Sequence, residues 1–117
     1  MSKSIFQDPT NRIVCIFDSR DDADAAARTL FADLGEGQAI HVLQGDDAAR
    51  QLDTSAKWFA DTDEEMKRFE RELFRGHTIV AVSVADSETR DRAHQILKQF
   101  GARHITHFGE WITEVLQ

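Results

Sequence analysis

Cysteine is almost missing from this 117-residue chain. Cys15 stands alone, which excludes an internal disulfide and a cysteine-rich zinc site. Long apolar runs are missing as well. The first residues, MSKSIFQDP, have no signal-peptide core, and no stretch approaches the length of a membrane span. Basic residues are in deficit, with 14 Lys+Arg against 21 Asp+Glu and a formal net charge of -7. That sign opposes non-specific attachment to nucleic acid or to acidic membranes. Linkers, repeats and low-complexity tracts are lacking too. So are an HExxH motif, a GMxCxxC metal-chaperone loop, the aromatic signature of an RNA-recognition sheet and the glycine-rich phosphate loops. These absences predict a soluble cytoplasmic protein of one domain, without cofactor, metal, nucleic-acid partner or membrane partner.

What is present is globular in composition, 41% hydrophobic and 30% charged. A chain of this length buries roughly two thirds of the surface its unfolded form exposes, enough for a core of its own. Residues 13–17, IVCIF, form a short β-branched apolar run bounded by polar residues, the pattern of a strand buried on both faces. Ser19 is placed to cap the helix that follows, with acids in its first turn, Ala23, Ala27, Leu30, Phe31 and Leu34 on one face and Gly35 as the stop. Residues 38–43 form a second strand. From 47 to 60 the pattern is undecided, with a short helix around Ala48 to Leu52 and Trp58-Phe59 as an apolar anchor.

Thr62 and Glu65 match a capping box, opening an amphipathic helix over 63–75 with Met66, Phe69 and Leu73 in register. Residues 77–84, HTIVAVSV, are the most strand-like of the chain. Asp86-Ser87 caps a further helix with Ala93, Ile96, Leu97 and Phe100 on its stripe, closed by Gly101. Arg103–Phe108 reads as a fourth strand, and 110–116 as a short helix.

This order predicts an α+β fold of the ferredoxin-like, split βαβ kind. It has a four-stranded antiparallel sheet in the order 4-1-3-2, a helical insertion over residues 45–75 and a C-terminal helix over 109–117. A flavodoxin-like parallel sheet is the alternative, and it wants five strands and more chain. In the first strand Ile13, Cys15 and Phe17 face one way and Val14 and Ile16 the other. In the third, Val80, Val82 and Val84 oppose Ile79, Ala81 and Ser83. Two crossover helices cover one face only. The other needs the inserted helix, the C-terminal tail or a second subunit, since monomers rarely expose so large an apolar patch. A homodimer or higher oligomer is therefore expected, with Trp58, Phe69, Phe74 and Trp111 as candidate cover residues.

Three stretches, IVCIFDSRDDADAAARTL, FERELFRGHTIVAVSV and AHQILKQFGARHI, resemble the small bacterial general stress protein (heat-induced stress protein) family. Where its members often carry a glycine-rich apolar segment, this chain has the polar passage from Gly45 to Asp63. The resemblance implies an association with stress response and no established chemistry.

The antiparallel arrangement gathers Asp18, Ser19, Arg20, Gln44, Gly45, Asp46, Arg75, His77, Arg103 and His104 at one edge of the sheet. Ser19, Arg20, Arg75, His77, Arg103 and His104 make a candidate site for a phosphate or carboxylate ligand, helped by the helix N-terminus at Ser19. The same residues have a plainer use, with Asp18 paired to an arginine, Ser19 as a cap and the histidines solvated at strand ends. His104 and His107, three apart on a strand, point to opposite faces and cannot chelate one ion. Cys15, mid-strand, behaves as a small hydrophobe. The acids Asp21, Asp22, Asp24, Glu64 and Glu65 compensate helix dipoles. The leading functional expectation is a non-enzymatic, oligomeric stress-associated protein that binds a partner through a sheet face or edge. The alternatives are a small-ligand sensor for a nucleotide or organic anion at the Arg/His edge, and an enzyme of the dimeric α+β-barrel kind.

Overall fold

A computed structural model describes residues 11–35, 39–45, 60–109 and 113–116, the side chains of 60–63 excepted. Five strands are present there, β1 (Arg12–Phe17), β2 (Ile40–Gln44), β3 (Thr78–Ser83), β4 (Arg103–Phe108) and β5 (Thr113–Val115). Three helices accompany them, α1 (Arg20–Leu34), α2 (Ala60–Phe74) and α3 (Ser87–Gln99). The strands form one antiparallel sheet in the order β2-β3-β1-β4-β5. Read from its other end, that order contains the expected 4-1-3-2 run of neighbours with a fifth strand added outside β4. The architecture is α+β.

The sheet and the C-terminal segment differ from expectation. The sheet has five strands instead of four, and the C-terminal segment is a strand where a helix over 109–117 was expected. Thr113 and Val115 are β-branched at a spacing of two, and the outer edge of β4 offers unpaired backbone groups. The segment pairs there, with Phe108 opposite Thr113 and Thr106 opposite Val115. The inserted helix begins at Ala60, before the expected start at 63, so Thr62 lies inside α2 and is not its cap. Asp46, the short helix around Ala48 to Leu52, Trp58 and Trp111 lie outside the described residues.

Local chemistry explains the ends of the crossover helices. Ser19 Oγ accepts the Asp22 amide at 3.3 Å and Asp86 Oδ1 accepts the Thr89 amide at 2.8 Å. Gly35, at φ 85°, ends α1 with its amide on the Phe31 carbonyl at 3.0 Å.

The strand alternation sorts the core into two layers. On one face, Ile13, Cys15, Phe17, Val80 and Val82 pack beneath Ala23, Ala26 and Leu30 of α1 and Ala93, Ile96 and Leu97 of α3. Cys15 is fully buried there; its thiol donates to the Val80 carbonyl at 3.6 Å, and burial pushes its pKa up, as befits an inert core thiol. On the other face, Met66, Phe69 and Leu73 of α2 pack on Val14, Ile16, Leu43, Ile79, Ala81 and Phe108. The second face is thus covered by the inserted helix, one of the three candidates for that role. Phe69 does cover it, whereas Phe74 is half exposed.

The stripe of α1 also differs from expectation. Ala26 is buried where Ala27 and Phe31 were expected, and Phe31 is 54% exposed. The helix is rolled so that Ala27 and Phe31 turn toward β2. Among the described residues no helix is long and apolar enough to cross a membrane.

Candidate functional site

The edge at the end of β1 brings four polar side chains into one network. Arg103, first residue of β4, donates through Nε to Asp18 Oδ1 at 3.0 Å, and its Nη1 lies 3.4 Å from Glu72 Oε1. His77, just before β3, places Nδ1 2.5 Å from Glu72 Oε2 and Nε2 3.6 Å from Asp18. Ionised Glu72 can only accept, so Nδ1 carries the ring proton at this contact. Burial pushes the Glu72 carboxyl upward, and the hydrogen bonds from His77 and Arg103 outweigh it, leaving the group below the usual glutamate range. The hydrogen bond from Arg103 likewise holds Asp18 down.

The remaining candidate residues disperse. Arg75 lies 3.8 Å from Glu72 at the rim. Arg20 donates to Asp24 at 3.0 Å and to Gln44 at 2.8 Å, tying the start of α1 to the end of β2. Ser19 is occupied as a cap. His104 is on the α2 face, its Nε2 against Glu65 Oε2 and its ring 5.8 Å from that of Phe69. Each of these arginines and histidines therefore faces a carboxylate, and the cluster carries little net positive charge for an anion.

Glu65 and Glu72 were not among the candidates. Acids on an exposed-looking helix read as solvated, yet these two lie seven apart and directly precede the core residues Met66 and Leu73. Two turns of α-helix separate them, so both fall on the stripe that meets the sheet. That spacing was the available signal. Through them α2 is latched to β4 at His104 and to the β3–β4 ends at His77 and Arg103.

His104 holds a second distinction, a φ of 51°. The pairing of β1 with β4 shifts register there, Val14 facing Thr106 while Ile16 faces Arg103, so β4 carries one extra residue. This is a β-bulge with a histidine in the left-handed position that glycine usually fills. The bulge turns the imidazole onto Glu65. His104→Asn, which tolerates that backbone, is expected to be less destabilising than His104→Val by about 1–2 kcal/mol. Urea midpoints of the two variants check this; equal midpoints would show that the backbone conformation is not what selects the residue.

As the strand period requires, His107 faces the other side, 3.6 Å from Glu114. Burial pushes its pKa down, with the nearby Arg90 adding to the effect and Glu114 opposing it. His41 on β2 is shifted the same way, by burial and then by Arg12. Among the described residues no three His, Cys, Asp or Glu side chains converge on a metal-sized position.

The lateral edge of the sheet, formed by β2, is different in kind. Strand β2, IHVLQ, has no proline and no acidic or basic residue except His41, which burial keeps neutral at pH 7. Beside it opens a cleft of about 380 Å³ lined by Ala27, Arg28, Phe31, Ile40 and Val42. The other outer strand, β5, is three residues long and carries Glu114, two of the usual safeguards on an exposed edge. A scan against family models, a search of curated proteins and a search of solved structures each found no match to this chain.

Proposed function

We propose that the chain is a non-enzymatic binding protein of ferredoxin-like, split βαβ architecture, with β5 added to the usual four strands. It engages another protein through the β2 edge and the neighbouring cleft. The order β5-β4-β1-β3-β2, with α1 and α3 on one face, supports the architecture. One observation carries the function: Phe31 stands 54% exposed over an apolar cleft, beside an edge strand that carries no charge at neutral pH. Backbone pairing supplies affinity at such an edge, and the apolar side chains beside it supply selectivity. The Arg/His edge, with its basic groups matched by Asp18, Glu65 and Glu72, serves in this reading to hold α2 in place. A cytoplasmic setting and a role under stress belong to the same proposal, and rest on composition and on the three resembling stretches.

A photo-crosslinking phenylalanine analogue placed at position 31 tests the reading in cells that make the protein. Covalent adducts to a protein are expected there and not from the same group at Gln99, which is exposed on α3. Equal labelling at both positions, or none at position 31, overturns it.

A further inference from the structure

We infer that the protein pairing with the β2 edge is a second copy of this chain, joined by a two-fold axis through Val42; this rests on the edge-binding reading above. The phase of the sheet is the first argument. The Ser83 amide donates to the Ala39 carbonyl at 2.9 Å, and Ala39 continues the β2–β3 register in which Ile40 faces Val82. In an antiparallel pair the residues that exchange hydrogen bonds alternate. Ala39, His41 and Leu43 therefore direct their backbone groups at β3, while Ile40, Val42 and Gln44 direct theirs outward. An antiparallel copy centred on Val42 satisfies all of these at once. Val42 pairs with Val42, and Ile40 with Gln44, each exchanging both bonds. Such a patch is self-complementary, as a two-fold interface must be.

Charge on α1 is the second argument. Arg20, Asp24, Ala27, Arg28 and Phe31 fall within one arc of the helix, on the side that meets the cleft. Arg20 reaches Gln44 at the end of β2, so α1 and β2 run in opposite directions. The two-fold axis then sets α1 antiparallel to its copy, with the small Ala27 near the centre. In that arrangement Arg28 of each chain comes opposite Asp24 of the other. Within its own chain Arg28 has no carboxylate partner among the described residues, although the chain as a whole carries an excess of acids. Phe31 of each copy covers the apolar floor of the joint cleft.

Light scattering behind size-exclusion chromatography, on the full chain over a concentration series, reads the result directly. The expected mass is twice the 13.3 kDa of one chain. Phe31→Glu, on the exposed surface, is expected to give the single-chain mass with an unchanged circular-dichroism spectrum. Asp24→Arg and Arg28→Asp each place like charges across the axis twice, and each alone is expected to weaken the dimer at least about tenfold. An equimolar mixture of those two variants recovers the dimer, because their charges are complementary. A wild type that stays at single-chain mass, a dimer indifferent to all three substitutions, or a mixture that fails to recover would each overturn self-pairing. If the wild type is a monomer while position 31 still crosslinks to other proteins, self-pairing falls and edge binding stands. If position 31 crosslinks to nothing, both fall.

Discussion

Phe69→Ala is expected to destabilise the protein by about 3–5 kcal/mol, the range for emptying a buried aromatic site. Phe69 is the central side chain of α2 on the second sheet face, 1% exposed. Its ring meets that of His104 at 5.8 Å and that of Phe108 at 6.2 Å, both tilted, an arrangement that adds to simple burial. Met66 and Leu73 flank it one turn to either side and cannot close the space, since each is already packed against the sheet. A domain of this size holds about 5–15 kcal/mol in all, so the loss is a large share of the total.

The consequence goes beyond a lower midpoint. α2 is held to the sheet by this apolar stripe and by the Glu65 and Glu72 contacts. Without Phe69 it is the element that detaches first, and it uncovers Val14, Ile16, Ile79 and Ala81. The variant is therefore expected to bind a hydrophobic dye at urea concentrations where the wild type does not, and to lose helical signal before strand signal. Phe69→Leu, which keeps most of the volume, is expected to cost under about 1.5 kcal/mol. Coincident loss of both signals in Phe69→Ala would show that α2 and the sheet unfold as one unit.

Much of this arrangement can be read from residue order because its causes are local. Ser19 and Asp86 announce helix starts by their own hydrogen bonds, and Arg103–Phe108 is a strand with the bounds its alternation implies. The two apolar sets of β1 and β3 separate by a period of two, and the faces follow. Features that depend on what lies opposite were not legible. The stripe of α1 fits either Ala26 or Ala27 with Phe31, and only packing against the sheet decides the roll that leaves Phe31 outside. The three-residue β5 needs the outer edge of β4 as well as its two β-branched residues, and that edge cannot be read from the segment itself. No glycine marks the bulge at His104, so nothing in the sequence signals that its ring turns onto Glu65. Asp18, His77 and Arg103 do lie together at one edge, as the order of the strands implies. The candidate anion cluster lacked Glu72, which meets His77 across the turn after α2 and Arg103 at the start of β4, and that carboxylate changes the cluster from a cationic patch to a balanced network.

Glu72 provides the second large effect. Replacing it with alanine leaves His77 Nδ1 and one side of the Arg103 guanidinium without their acceptor, at a rim where the Glu72 side chain is only 10% exposed. Loss of hydrogen bonds to a charged, largely buried group is expected to cost about 2–3 kcal/mol near pH 7. Arg103 keeps Asp18 at 2.9 Å, which holds the cost at that level and below that of a fully buried pair. The pH dependence carries the sharper test. Both Glu72 and Asp18 have carboxyls held below their ordinary values in the folded chain. A depressed folded value means stability that is complete above the unfolded pKa, about 4, and lost as pH falls through the folded one. The gap between wild type and Glu72→Gln should accordingly be widest near pH 7 and narrow steadily below about pH 4, as the wild-type carboxylate takes up the proton that ends its pairing. Urea midpoints measured down the pH series give this directly. A gap that stays constant into acid would mean that Glu72 stabilises α2 by packing alone, and the latch between that helix and the strand ends would have to be sought in Glu65 and His104.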